Sequence, residues 1–184
     1  MKRFEQRKNS MLKKGDKSSK GGWDSKIIKL CNKINKKDNY YTTSSCSGRV
    51  ILMKDVNKKK RNLFLKISHD LIKEGFFKDL KLSKKGDVKF KFEPFIIHIA
   101  CLDLEDAEKL IRVGLKVGFK QVGIISLGKN IIVEIKGSEK IEFPFSKNGK
   151  VLVGGEFLKE VVKKSRLYFK RGWDRVSGLE KEFK

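Results

Sequence analysis

The chain is poor in negative charge. Against 45 Lys and Arg stand 22 Asp and Glu, a formal charge of +23 over 184 residues. General Lys enrichment of the thermophile kind raises Glu alongside Lys, and here Glu does not keep pace. The excess points to a polyanionic partner, nucleic acid first and an anionic membrane surface second. Long apolar runs are missing too. The longest, Phe95 to Leu102, is interrupted by His98 and falls far short of the roughly 20 residues that span a bilayer. No transmembrane helix is expected, and the basic N-terminus lacks the apolar stretch of a signal peptide. Cys31, Cys46 and Cys101 are odd in number and far apart. They show no zinc spacing and suit a reducing cytoplasm. There are two histidines, no internal repeat, and no Gly-x-Gly loop between a strand and a helix of the doubly wound kind.

What is present suffices for a folded core. Hydrophobic residues make up 39% of the chain, which excludes a fully disordered polymer. The length admits one large or two small domains. The pattern reads as a single α+β domain over 1–184, with a basic N-terminal helix and loop (1–24) and a basic C-terminal tail (166–184). Phe4, Met11 and Leu12 fit one face of the first helix. Asp24 or Ser25 is placed to cap a second, whose Ile27, Leu30, Cys31 and Ile34 recur at i, i+3, i+4 and i+7. Asp103 caps a third, with Ala107, Leu110, Ile111, Gly114 and Leu115 as its apolar face and Gly118 as its stop. Glu156 opens a fourth, whose end interleaves Lys163, Lys164, Arg166, Lys170, Arg171 and Arg175 with Tyr168, Phe169 and Trp173. Basic residues among aromatics suit RNA; the same pattern also makes an amphipathic helix with a solvated face.

Between the helices, Val50–Asp55 and Asn62–Ile67 read as a hairpin with a basic tip. Gln121–Leu127 and Ile131–Lys136 form a second, and Ile141–Phe145 and Val151–Val153 a third, turning at Asn148-Gly149. Val88, Phe90 and Phe92 alternate with charged residues as a half-exposed strand. Pro94 then suggests an edge or bulge before a buried strand from Phe95 to Cys101. Asp70–Leu82 is expected to hold a short helix broken at Gly75. The fold class is therefore α+β, a mostly antiparallel sheet with helices packed on it. Val88–Leu127 supplies a strand–helix–strand unit of ferredoxin-like character.

One stretch concentrates chemistry: Tyr40-Tyr41-Thr42-Thr43-Ser44-Ser45-Cys46-Ser47-Gly48-Arg49. A β-prone lead-in runs into small hydroxyl residues that read as a turn, where unpaired N–H groups can form an anion nest. Arg49 adds a planar fork for carboxylate or phosphate. The same residues also make an ordinary tight turn. A tight first hairpin returns Ser68-His69-Asp70 toward this stretch, which brings His69 beside Arg49 and Cys46. Glu93 and His98 are the unusual polar groups on apolar strands. Lys17 and Lys20 can reach phosphate from a Gly-rich loop, and Lys59 from the hairpin tip.

Taken together, Asp16-Lys17-Ser18 through Gly21, the run Asn39–Arg49, Ser68-His69, Glu93-Pro94-Phe95-Ile96-Ile97-His98 and the segment Asp103–Lys120 resemble the third enzyme of the tRNA wybutosine-synthesis pathway, with its archaeal relatives. The resemblance covers roughly residues 4–160. It implies a fold apart from the doubly wound methyltransferases. It also implies a methyltransferase using S-adenosyl-L-methionine, and a substrate, the wyosine-type guanosine beside the anticodon of phenylalanine tRNA, methylated at ring position N-4. On that reading Ser44, Ser45, Cys46, Ser47, Gly48, Arg49 and His98 cradle the cofactor, and His69, Arg49 and Glu93 carry catalysis. Asp16, Lys17, Lys20 and Lys59 bind the tRNA, with no membrane partner and a cytoplasmic location. The alternatives are a non-catalytic RNA-binding protein, with Cys46 and His69 structural, and, third, a Cys46–His69 thiol hydrolase.

Overall fold

The structure is a computed structural model that describes residues 2–14, 24–56, 63–84 and 86–183. Its helices are Lys2–Lys13 (α1), Ile28–Lys36 (α2), Leu104–Lys116 (α3) and Gly155–Glu182 (α4). Its strands are Tyr40–Cys46 (β1), Arg49–Lys54 (β2), Phe64–Ser68 (β3), Val88–Glu93 (β4), Ile96–Cys101 (β5), Gln121–Leu127 (β6), Ile131–Lys136 (β7), Ile141–Lys147 (β8) and Lys150–Val151 (β9). The fold is α+β with two antiparallel sheets. The chain divides into two compact units: Met1–Ser47 with Phe95–Ser138 and Gly172–Lys184, and Gly48–Pro94 with Glu139–Arg171.

The first unit carries the sheet β1-β5-β7-β6. Because β5 and β6 are each antiparallel to β7, they run parallel to one another, with α3 as the crossover. Adding α2–β1 gives the ferredoxin-like strand order, with its last helix–strand pair moved to the front of the chain. Period-two alternation sends Ile97, Ile99, Val133 and Ile135 to one face. There they meet Leu30 and Ile34 of α2, Ala107 and Leu110 of α3, and Leu179 of α4, all essentially inaccessible. Each such side chain stabilises the fold by about 1.5–3 kcal/mol through burial. Gly114 lets α3 approach the sheet: a Cβ there would lie 3.1 Å from Val122. Asp103 caps α3, accepting the Asp106 N–H at 2.8 Å. Gly118, at φ +96°, ends that helix in a conformation that favours glycine.

The second unit carries the sheet β3-β2-β4-β8-β9. Its apolar face is aromatic. Phe92 lies edge-on to Phe169 of α4 at 5.0 Å, Phe90 stacks near Phe143 at 5.1 Å, and Phe77 stacks near Phe145 at 5.7 Å. The other face bears Arg49, Lys89, Lys91, Glu93 and Glu142. The last hairpin turns on Asn148 and Gly149, both at positive φ (50° and 78°), as a two-residue hairpin loop requires.

Several local expectations change. Ser44–Cys46 are strand residues paired with Ile96–His98, and the turn is reduced to Ser47 and Gly48. Small hydroxyl residues are tolerated in β1 because it is an edge strand. Neither Asp24 nor Ser25 caps α2. Its N-cap position is Ile27, without a side-chain bond; the Asp24 carboxylate instead takes the Ser47 hydroxyl and the Lys26 N–H. Asp70–Leu82 holds one 3₁₀ turn, Glu74–Phe77, which runs through Gly75. Pro94 marks neither an edge nor a bulge. It follows β4, an interior strand, where the chain leaves one sheet for the other. The aromatics near the C-terminus face inward: Phe169 is buried, and Tyr168 packs on Phe92.

Ile99→Ala should lower stability by about 2–5 kcal/mol, whereas Leu104→Ala, at a position 58% exposed, should stay within about 0.5 kcal/mol. Gly149→Ala should cost about 1–2 kcal/mol from its left-handed backbone. Urea denaturation of the three variants against the parent measures all three.

Candidate functional site

The second face of the first unit's sheet, partly covered by α1, depends on one bulge. Tyr41 pairs with Ala100 and Thr42 with Ile99, but Ser44 pairs with His98, so Thr43 is the extra residue. In a regular strand Tyr41 and Ser44 would point to opposite faces, since side chains alternate. The bulge returns Ser44 to the face of Tyr41, Ala100 and His98. Thr43 satisfies its own hydroxyl on the His98 carbonyl at 3.3 Å. Asn35 of α2 reinforces this edge, accepting the Thr42 N–H at 2.8 Å.

On that face three residues from three adjacent strands form a hydrogen-bonded chain. Ser44 Oγ lies 2.8 Å from His98 Nδ1, and His98 Nε2 lies 2.8 Å from Glu134 Oε2. His98 and Glu134 are 27% and 28% exposed, and Ser44 is open to solvent. A carboxylate only accepts. Nε2 therefore carries the imidazole proton, and Nδ1 is the acceptor for the Ser44 hydroxyl. The row ends in a hydroxyl that can take a proton from a ligand while passing its own to His98. Glu134, central to this chain, was not singled out from the sequence.

The other residues of the small-hydroxyl run diverge. Cys46 shares the Ser44 face. Ser45 points the opposite way, its hydroxyl 3.7 Å from the Cys31 sulfur of α2. Ser47 is buried and donates to Asp24. Burial, then the charges of Asp106 and Asp103, push the Cys101 thiol up to about 12. Burial likewise raises Tyr40, whose hydroxyl donates to the Asp106 carbonyl at 3.0 Å.

The second unit gathers a different set. Arg49 and Glu93 are register partners across β2 and β4, and Arg49 Nε donates to Glu93 Oε2 at 2.7 Å. The guanidinium carbon stands 5.8 Å from the centroid of the Phe64 ring, which is 45% exposed. Lys91 lies 3.9 Å from the other Glu93 oxygen. Along the same face Glu142 is held below the usual carboxylate range, first by its bond to Lys140. Val50 pairs with Ser68, so the hairpin does return His69 level with Arg49. Gly48, at φ +102°, precedes β2. Asp16, Lys17, Lys20 and Lys59 lie outside the described residues.

The site is a hydrogen-bonded hydroxyl–imidazole–carboxylate chain in a strongly basic protein, an arrangement that can take up a proton. Comparison with known proteins gives the class. Residues 6–184 match the family model described as Methyltransferase TYW3, and the chain belongs to that family. A Methanocaldococcus jannaschii protein named tRNA(Phe) 7-((3-amino-3-carboxypropyl)-4-demethylwyosine(37)-N(4))-methyltransferase is 39% identical over 153 residues, covering 80% of this chain and 79% of that protein. A protein of the same name from Thermococcus sibiricus is 33% identical over 181 residues, covering 96% and 92%. The tRNA wybutosine-synthesizing protein 3 homolog of Xenopus laevis is 37% identical over 86% of the chain, which spans 66% of that relative's length. Among solved structures, the PH1069 protein from Pyrococcus horikoshii superposes with a TM-score of 0.86 at 31% identity, covering 98% of this chain and 96% of its own. A hypothetical protein from Aeropyrum pernix, at TM-score 0.71 and 21% identity over 87% of this chain and 96% of its own, shares the fold. Among the described residues no helix is long and apolar enough to cross a membrane.

The thiol geometry gives a direct test. Cys31 and Cys101 are buried and Cys46 is half-buried. Iodoacetamide at pH 8 should label Cys46 first and leave Cys101 unlabelled in the folded protein, as read by peptide mass spectrometry.

Proposed function

We propose that the chain is a tRNA methyltransferase that uses S-adenosyl-L-methionine to methylate the N-4 ring nitrogen of the demethylwyosine-type base beside the anticodon of phenylalanine tRNA. Family membership and the +23 charge support this reading. The observation that carries its chemistry is the Ser44–His98–Glu134 chain. A methylated ring N–H must lose its proton, and the row offers a hydroxyl backed by an oriented imidazole. Ser44 Oγ accepts the ring proton and gives its own to His98 Nδ1. Glu134 holds the Nε2 tautomer and steadies the imidazolium. The anticodon loop already presents unpaired bases, so little unpairing opposes access.

S-adenosylmethionine supplies an electrophilic methyl group. The Arg49–Glu93 pair fits its zwitterionic end. Arg49 engages Glu93 through Nε, and four further guanidinium N–H groups suit a carboxylate. The Glu93 oxygens suit an ammonium. His69, level with Arg49 in the hairpin register, is a substrate-positioning group. Cysteines that are odd in number and far apart in the chain fit a cytoplasmic location.

Purified protein with hypomodified phenylalanine tRNA and methyl-labelled S-adenosylmethionine should transfer label to the tRNA. His98→Ala should lower kcat by roughly 10²–10⁴-fold, Glu134→Gln by less, and Lys109→Ala, on exposed α3, not at all. Absence of methyl product in a single turnover with both substrates bound would refute the assignment; wild-type kcat in His98→Ala would refute the relay.

A further inference from the structure

The first unit holds a groove that the proton relay does not use. It has a volume of about 480 Å³ and is lined by Arg3, Gln6, Arg7, Ser10 and Met11 of α1 and by Lys14 just past its end, with Tyr41 and Asn130. The helix is fixed over the sheet. Phe4 is buried against the Tyr41 ring at 5.1 Å, and Lys8, on another side of α1, donates to the Lys37 carbonyl. Three cations line the groove and no carboxylate does. Arg7 bonds Tyr41, yet its Nε is buried without a partner, as is Asn130 Oδ1. A buried donor and acceptor left open in this way are costly unless a ligand completes them.

We propose that this groove is a phosphodiester-binding site for the backbone of the RNA substrate, a proposal that rests on the tRNA reading above. Arg3 to Lys14 spans about 16 Å along α1 and the turn that ends it, at roughly 1.5 Å per residue, so the row of cations matches successive phosphates rather than a single free anion. Gln6, Ser10 and Asn130 add the neutral groups that accompany phosphate and sugar recognition. Position supports the same reading. Tyr41 and Ala100 form the row of residues next to Ser44 and His98 on one face of the sheet, about 7 Å along the strand. A strand held under α1 therefore runs beside the proton acceptor. The Thr43 bulge is what puts groove and relay on one face.

The test measures binding, independent of methyl transfer. Affinity of the full chain for phenylalanine tRNA is titrated from 50 to 300 mM salt for the parent, Arg7→Ala, the Arg3→Ala/Lys14→Ala double variant, and Lys109→Ala as control. The double variant spares the bond to Tyr41 and so guards against misfolding of Arg7→Ala. Its salt slope should fall by about 2, one for each phosphate that is no longer neutralised. Its KM for tRNA should rise while kcat at saturating tRNA stays unchanged, and Lys109→Ala should match the parent. Parental affinity and slope in the double variant would overturn the proposal, whether or not the protein methylates. Two parallel titrations separate other sources of the same chemistry. If the parent binds inorganic phosphate, or vesicles with an anionic lipid, and the double variant does not, while tRNA affinity is unchanged, the proposal falls in favour of a free anion or a membrane surface.

Discussion

Strand β5 must satisfy two faces at once, and the first unit depends on how it does so. Ile97, Ile99 and Cys101 go to the helices, while Ile96, His98 and Ala100 face the other way. A period of two leaves no freedom in this division. Any one-residue slip would bury His98 and expose the isoleucines. The buried side fixes the register, and the register in turn fixes where the polar row stands on the open side. Hydrophobic packing thereby sets the geometry of Ser44, His98 and Glu134 without contributing an atom to it.

Much of this was legible in the sequence. Ile27, Leu30, Cys31 and Ile34 announced a helix because 3.6-residue periodicity is local, and all four are fully buried. The hairpin at Asn148-Gly149 and the strands flanking Gly128-Lys129-Asn130 were equally readable, since turn chemistry is carried by adjacent residues. Non-local facts were not. Glu134 sits in Ile131–Lys136 as an ordinary polar alternation. Its partnership with His98 comes from pairing two strands whose order on the sheet is set by a crossover through α3. The serine run read as a turn because small hydroxyl residues favour turns. Only the pairing of β1 with β5 reveals it as a strand with one bulged residue. Pro94 read as an edge defect because no local signal distinguishes the end of a strand from a change of sheet.

Charge is divided between two roles. On β4 and β8, Lys89, Lys91, Lys140, Glu93, Glu142 and Asp55 pair with one another, exposed ion pairs worth about 0.2–1 kcal/mol each. There each lysine has a carboxylate within reach and the field largely cancels. The groove under α1 has none. Lysine and arginine are thus compensated along β4 and unopposed only in the lining of the groove, which a whole-chain charge cannot show.

The links at Ser47-Gly48 and Pro94-Phe95 bear on folding order. The chain leaves the first sheet at Cys46 and re-enters it at Ile96, and these two residues are register partners. Arg49 and Glu93, just inside the intervening segment, are register partners as well. Once β2 has paired with β3 on one side and β4 on the other, the two ends of that segment are already side by side. A loop of nearly fifty residues would otherwise cost about 3 kcal/mol of closure entropy. The pairing of β2 with β4 acts as a hairpin turn on a larger scale, and it makes the pairing of β1 with β5 kinetically local despite the distance between them in sequence.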